Sequence, residues 1–162
     1  MSDPQADGGP ADRVSPAVAA RQKWMAVLAR ADAGSLTRRL RAWGAVPPYT
    51  RLRGPEAGLV MVRGRTGGGG APFNLGEMTV TRCSVRLADG LVGHAYVAGR
   101  DDRQAELAAV VDALMQDPDR ASGLDAAVIA PLAEAQRERR TTLAEKAAAT
   151  KVQFFSMRTM RT

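Results

Sequence analysis

The chain has 162 residues, the length of a single domain, and 45% of them are hydrophobic, which is enough to form a core. Aromatic residues make up only 4%, so Leu, Val, Ala and Met must fill that core. The net charge of +6 comes from 23 Lys and Arg against 17 Asp and Glu, and 20 of the basic residues are Arg. So much arginine, together with many Ala and Gly residues, reflects either a GC-rich genome or contact with anions, and no recognised nucleic-acid reader motif is present.

Cysteine usage and hydropathy exclude further classes of protein. A single cysteine, Cys83, rules out an intramolecular disulfide and favours the reducing cytoplasm. No apolar run approaches the roughly 20 residues of a membrane span. We expect residues 1–14 to be a disordered leader without signal-peptide features, 15–157 to form one domain and 158–162 to be a frayed tail.

Two helices are predicted at the start of the domain. Ser15-Pro16 is a helix start, because Ser caps and Pro fits the first helical position. Gly34 breaks the first helix, Ser35 is placed to cap the second, and Gly44 closes it. The first helix carries the apolar stripe Ala17, Ala20, Trp24, Val27, Leu28 and Ala31, and the second carries Leu36, Leu40 and Trp43.

Strands are predicted for the middle of the chain. Residues 49–53 and 59–65 are short strand candidates joined by a loop at 54–58, a further loop covers 66–72, and 77–88 is the longest strand candidate. Asp89-Gly90 predicts a hairpin with a two-residue loop. That register places Leu87 opposite Val92, Val85 opposite His94, Cys83 opposite Tyr96 and Thr81 opposite Ala98, all on the core face.

The last third of the chain is predicted to be helical. Asp101-Asp102 begins a third helix, and Asp117-Pro118 ends it. Residues 122–125 resemble a capping box, and Pro131 begins a long helix that runs to about Thr150. The predicted fold class is α+β, an antiparallel β-meander flanked by N-terminal and C-terminal helices.

Glycines and arginines supply the candidate binding residues. The run 67–70 could wrap an anion, although it matches neither a P-loop nor a dinucleotide fingerprint; the alternative is a mobile or partner-ordered loop. Arg82 and Arg86 share a strand face opposite Cys83, so they are expected to meet a phosphate, a partner or only solvent. The full set of candidate anion or partner contacts is Arg65, Gly67, Gly68, Arg82, Arg86 and Arg100.

No catalytic constellation can be found in the order of the residues. His94, the only histidine, is expected to pack on the core face, and Cys83 to be a small buried hydrophobe. No carboxylates cluster near them to complete a metal site. Phe154-Phe155 is either a core anchor or a partner-interface anchor. The residues therefore indicate an accessory domain.

Short motifs keep a characteristic order and spacing from Ala20 to Met157, and together they resemble the PhnG family of the bacterial carbon–phosphorus lyase system. The matching stretches are 21–29, 58–60 with Arg65, 67–68 leading to Phe73, 75–82, 85–87, 89–90, 99–101, 105–106, 111–116, 129–132 and 152–155.

The resemblance implies a hetero-oligomer with PhnH, PhnI and PhnJ, two copies of each, in which a phosphonate displaces adenine from MgATP. The product would be a ribose 1-alkylphosphonate 5-triphosphate. The displacement is placed on PhnI and the radical cleavage on PhnJ with its iron–sulfur cluster, for which this chain lacks the cysteines. The resemblance carries over no catalytic residue, metal or cofactor to this subunit, and self-association is left open. A stand-alone anion- or nucleic-acid-binding module that uses the arginine face is the alternative.

Overall fold

The structure, a computed structural model, describes residues 15–150. The helices are α1 (Pro16–Leu28), α2 (Ala33–Trp43), α3 (Asp102–Leu114), α4 (Pro118–Leu124) and α5 (Ala130–Ala149), and the strands are β1 (Tyr49–Arg65), β2 (Pro72–Leu87) and β3 (Val92–Ala98). The strands form one antiparallel sheet in the order β1-β2-β3, so the α+β prediction is confirmed. The expected leader, Phe154, Phe155 and the expected tail lie outside the described residues.

The first helix begins where its sequence predicts. The Ser15 hydroxyl accepts a hydrogen bond from the Val18 N–H at 3.3 Å, and Pro16 occupies the first turn of α1. The prediction for α2 is wrong by three residues, because Asp32 rather than Ser35 is the cap. Its carboxylate accepts a 2.8 Å bond from the Ser35 backbone N–H, and this bond lowers the pKa of Asp32.

The loop predicted at 54–58 is instead part of a continuous strand. β1 runs without interruption through Gly54 and Pro55, and its pairing with β2 shifts on both sides of Arg53. Such shifts are β-bulges, and β1 is an edge strand, where proline is tolerated because its missing N–H costs no ladder bond. β2 likewise begins at Pro72, five residues before the predicted start.

The C-terminal helices follow each other more closely than predicted. Asp117-Pro118 does not merely end α3; the Asp117 carboxylate caps α4. The expected capping box at 122–125 is not one, because α4 runs to Leu124 and continues into a π-helical turn, Asp125–Ile129. α5 follows directly, close to the predicted restart at Pro131.

Helix α3 packs on one side of the sheet and forms the centre of the core. It begins at the Asp101 cap, whose carboxylate accepts a 2.8 Å bond from the Gln104 N–H. Its packing against β2 and β3 accounts for most contacts between helices and sheet. The buried residues on the sheet side are Cys83, Val85, Leu87, Ala95 and Val97, and those on α3 include Ala105, Ala109, Val110, Ala113 and Leu114.

The β2–β3 register differs from the predicted one by one residue. Ser84 pairs with His94 and Arg82 with Tyr96, so the side chains of β3 are inverted relative to the prediction: Gly93 faces the core and His94 is exposed. The loop has three residues rather than two, closed by the Leu87 N–H donating to the Leu91 carbonyl at 2.9 Å. Three-residue hairpin loops with glycine at positive φ are a common alternative to the two-residue type, and Gly90 has φ 93°.

Two elements project from the packed body. β3 pairs only with residues 80–86 of β2, so residues 59–65 and 72–79 form a two-stranded extension, which we call the arm. The second element is the C-terminal part of α5. Every residue from 137 to 150 is exposed, so this part of the helix extends away from the core for about 20 Å.

Candidate functional site

The sheet face opposite α3, which we call the outer face, collects the predicted arginines of β2. Residues of the three strands that lie opposite one another there are Thr50, Arg53 and Glu56 on β1, Arg82, Ser84 and Arg86 on β2, and Val92, His94 and Tyr96 on β3. The prediction that Arg82 and Arg86 point away from Cys83, Val85 and Leu87 agrees with the solvent access of both arginines. Because the register of β3 differs by one residue from the predicted one, the side chains of His94 and Tyr96 also lie on this face.

Arg82 is part of an ion-pair network on this face. Its Nε lies 2.6 Å from a carboxylate oxygen of Glu56, which is also paired with Arg53. The Tyr96 hydroxyl and then Glu56 raise the pKa of Arg82. Although desolvation opposes it, bonding to Arg82 and Arg53 lowers the pKa of Glu56. Because all three charged side chains are substantially solvated, the network orders them without contributing much stability.

Ser84 and His94 share a hydrogen bond across β2 and β3. The Ser84 Oγ lies 2.8 Å from the His94 Nδ1. In a serine-nucleophile site the serine bonds to Nε2 while a buried carboxylate holds Nδ1. In this chain the serine itself occupies Nδ1, and the Asp112 carboxylate bonds to the backbone N–H of His94 at 2.9 Å rather than to its ring. The pair therefore lacks the arrangement in which a carboxylate orients the histidine base of a serine nucleophile.

Arg86 lies at the end of the outer face nearest the hairpin loop. It is exposed, and its cross-strand neighbours, Thr50 and Val92, carry no charge. The side chain is accordingly available to an anionic ligand or to an acidic side chain of a partner. Arg100 is also exposed, but it follows Gly99, where the chain turns from β3 toward α3 with φ 87°.

The tip of the arm contains the predicted glycine site. Thr66–Gly68 is one 3₁₀ turn, and Gly67 has φ 59°. The Arg65 guanidinium donates to the Gly70 carbonyl at 3.2 Å, and the Gly70 N–H donates to the Thr66 carbonyl at 2.9 Å. These bonds close a tight turn in which the Gly70 N–H is used internally, and the positive φ of Gly67 is a conformation that favours glycine.

The six predicted binding residues therefore do not form one site. Arg65 pairs with Pro72 at the tip of the arm, and Arg82 lies ten positions further along β2 than Pro72, a distance of about 33 Å in an extended strand. Only Arg82 and Arg86 share a face. A single anion bound by Arg65 at the tip of the arm therefore cannot also contact Arg82 or Arg86.

A buried carboxylate that the sequence interpretation missed connects three elements. Asp112 of α3 is fully buried, and Arg21 of α1 donates to it through Nε at 3.1 Å and Nη2 at 2.6 Å. Trp24 Nε1 and the His94 N–H donate to it at 2.9 Å each. The signal was present in the sequence, since Asp112 is an acid inside the apolar stripe of α3, where an unpaired charge would be costly.

A cleft of about 300 Å³ lies between α1 and β3. It is lined mainly by apolar groups such as Met25, Leu28 and Ala95, and His94 and Tyr96 also border it. Among residues 15–150, no three His, Cys, Asp or Glu side chains come together to hold a metal ion. None of the helices in that range is long and apolar enough to cross a membrane.

Comparison with known proteins adds what the geometry leaves open. A family model described as "Phosphonate metabolism protein PhnG" matches residues 19–159. The chain belongs to the PhnG family. A relative from Rhizobium meliloti (strain 1021), named alpha-D-ribose 1-methylphosphonate 5-triphosphate synthase subunit PhnG, is 47% identical over 145 residues, which cover 86% of this chain and 89% of the relative. The family resemblance predicted from the sequence motifs is thereby confirmed.

Proposed function

We propose that this chain is an accessory subunit of a synthase that transfers a phosphonate to the ribose of MgATP and releases adenine, acting with PhnI, PhnH and PhnJ homologues in the cytoplasm. The observation that carries the proposal is the 47% identity, over nearly the whole chain, to a relative whose name is that of a synthase subunit. MgATP and the phosphonate are substrates of the assembly, and no cofactor is assigned to this subunit. The buried free thiol of Cys83 is compatible with a reducing compartment.

The outer face supports an accessory role rather than a catalytic one. Displacement of adenine requires a positioned phosphonate oxygen, an acid for the leaving base and stabilisation of the triphosphate. The described residues offer the last of these in the exposed Arg86, but the Ser84–His94 pair lacks the orientation of an acid or base supported by a carboxylate. We therefore assign the chemical step to another subunit.

The two projections support an assembled state. A two-stranded hairpin is marginally stable by itself, and so is an isolated helix of about 13 residues. The arm and residues 137–149 of α5 are elements of this kind, and both are largely exposed. Contact with other subunits would supply the packing that the body of this chain does not.

The arginine face leaves a second function to be tested, that of a stand-alone anion- or nucleic-acid-binding module. Its support is the exposed Arg86 beside the Arg82–Glu56 pair. Binding to a nucleic-acid backbone weakens steeply as salt rises, because condensed counterions are released. A salt titration with a DNA duplex and with a single-stranded RNA measures this directly, and the synthase proposal expects no such binding at physiological salt.

Reconstitution tests the synthase proposal. The chain is co-expressed with PhnI, PhnH and PhnJ homologues, and adenine release from MgATP and methylphosphonate is followed by chromatography. We expect release by the full set, loss of release when this chain is omitted, and none from this chain alone. Adenine release by the isolated chain that one substitution abolishes, or equal release by the other subunits without it, would overturn the proposal.

A further inference from the structure

Exposed apolar side chains concentrate on the arm. Leu59 and Leu75 are 63% and 66% exposed, and Met61, Phe73 and Met78 are also exposed. The arm therefore carries half of the ten large hydrophobic residues that are exposed among the described residues. Apolar patches of this kind on a soluble protein mark a surface that another molecule covers.

Among residues 15–150, no strand pairs with the outer edge of β1, the side turned away from β2. The Thr79 carbonyl accepts from the Gly99 N–H at 2.9 Å, so the polar backbone groups of Thr79 face the β3 side of β2. In an antiparallel ladder these directions alternate from residue to residue. Leu59 is the partner of Thr79 and Met61 the partner of Glu77, so both turn their N–H and C=O groups away from β2, toward the open side of β1.

Of the two open edges of the arm, that of β1 is the better template for a strand. Pairs from Ala57 to Val62 follow one register without a bulge, and none of these six residues is charged. The open edge of β2 is shorter, because its register shifts beside Leu75, and it contains Glu77. Bulges and charges are how native sheets block edge pairing, and residues 57–62 have neither.

We propose that residues 57–62 of β1 pair with a β-strand from a different subunit of the synthase. This added strand extends the sheet by backbone hydrogen bonds and covers Leu59 and Met61. The proposal rests on the function proposed above. Exposed Arg63 and Arg65 continue this edge beyond residue 62 and define the partner further. The incoming strand is apolar where it faces residues 59–61 and acidic where it meets the two arginines.

Two proline variants test the edge in the co-expressed assembly. Met61→Pro removes an N–H that faces the open side of β1 and leaves the bonds to β2 in place. Glu77→Pro, at the cross-strand partner of Met61, makes the same change on the other edge and is the matched control. Met61→Ala removes the side chain alone. We expect Met61→Pro to reduce co-purification of the other subunits by about ten-fold or more, Met61→Ala to reduce it less, and Glu77→Pro to leave it unchanged.

Hydrogen exchange is measured on the wild-type chain, free and in the assembly. Because it uses no substitution, unfolding of a variant cannot affect the result. The amides of Leu59 and Met61 should become protected on assembly. Full co-purification by folded Met61→Pro, or no added protection at these two amides, overturns the inference while leaving the synthase proposal standing. A wild-type chain that captures no other subunit overturns both. A homodimer that Met61→Pro dissolves without affecting capture shows that a second copy occupies the edge, and also overturns the inference.

Discussion

The guanidinium of Arg21 forms two hydrogen bonds with the carboxylate of Asp112, a residue 91 positions further along the chain. The contact joins α1 to α3, and the bond from the His94 N–H to the same carboxylate adds β3. The charge of Asp112 is thus compensated by donors from other elements. A buried charge of this kind specifies one arrangement of the three elements, because each alternative packing leaves it unpaired.

Asp112→Ala should destabilise the protein by about 3 kcal/mol, because Trp24 Nε1 and the His94 N–H lose their acceptor and Arg21 loses its partner. Urea denaturation of the isolated chain measures the loss. Glu138→Ala, at an exposed position of α5, is the control and should change stability by less than about 0.5 kcal/mol. Equal stabilities for the two variants would show that the carboxylate does not organise the fold.

Gly93→Ala should be at least as damaging, by about 3 kcal/mol, for a steric reason. A Cβ at this position would lie 1.9 Å from the Ala109 carbonyl oxygen and 2.5 Å from the Ala113 nitrogen, so strand β3 and helix α3 would have to separate. Gly58→Ala is the control, since nothing lies within 4 Å of the point that its methyl group would occupy and its backbone is ordinary strand. Melting temperatures that fall equally in the two variants would show that Gly93 does not face α3.

Gly93 also explains why the face of β3 could not be predicted from the local sequence. Asp89-Gly90 is compatible with a two-residue and a three-residue loop, and the two choices point opposite faces of β3 at the core. Alternation does not decide between them, because Gly93 and Ala95 have small side chains and His94 and Tyr96 are amphipathic. The choice depends on the close approach of β3 to α3, a tertiary contact.

Elsewhere the sequence was sufficient where a local bond determines the structure. The caps Ser15 and Asp101 mark helix starts that the structure confirms, because a side chain satisfies a nearby backbone N–H there. The loop predicted at 54–58 was wrong because Gly and Pro usually mark a turn, whereas an edge strand such as β1 tolerates both. The same holds for the candidate site. The direction of the Arg82 side chain could be predicted from alternation along β2 alone, but its neighbour Tyr96 could not, because that pairing depends on the register of β3.

Stability should fall in acid because of the Glu106 carboxylate. The Arg51 guanidinium bonds it at 2.7 and 2.9 Å and lowers its pKa, although desolvation opposes the shift, and the Tyr49 hydroxyl adds a 3.0 Å bond. Since the folded pKa lies below the ordinary value of 4.5, this contribution is fully present above pH 4.5 and is lost as the pH falls through the folded pKa. Melting curves of wild type and Glu106→Gln should differ at pH 7 and converge in acid. Glu138→Gln should show no such convergence, and a constant difference between wild type and Glu106→Gln down to about pH 2 would contradict the assignment.

The double variant Arg82→Ala/Arg86→Ala separates the fold from the function of the outer face. Both side chains point away from the core, with Arg82 partly buried and Arg86 exposed. The melting temperature of the isolated chain should therefore change little, in keeping with about 0.5 kcal/mol or less for substitutions on the protein surface. Synthase activity or assembly should fall, because the face loses both the Arg82–Glu56 pair and the exposed cation of Arg86. Arg41→Ala/Arg103→Ala removes the same charge from exposed helix positions and should leave both measurements unchanged. Unfolding of the outer-face variant would show that the arginines are structural, and full activity in the reconstituted assembly would show that this face meets only solvent.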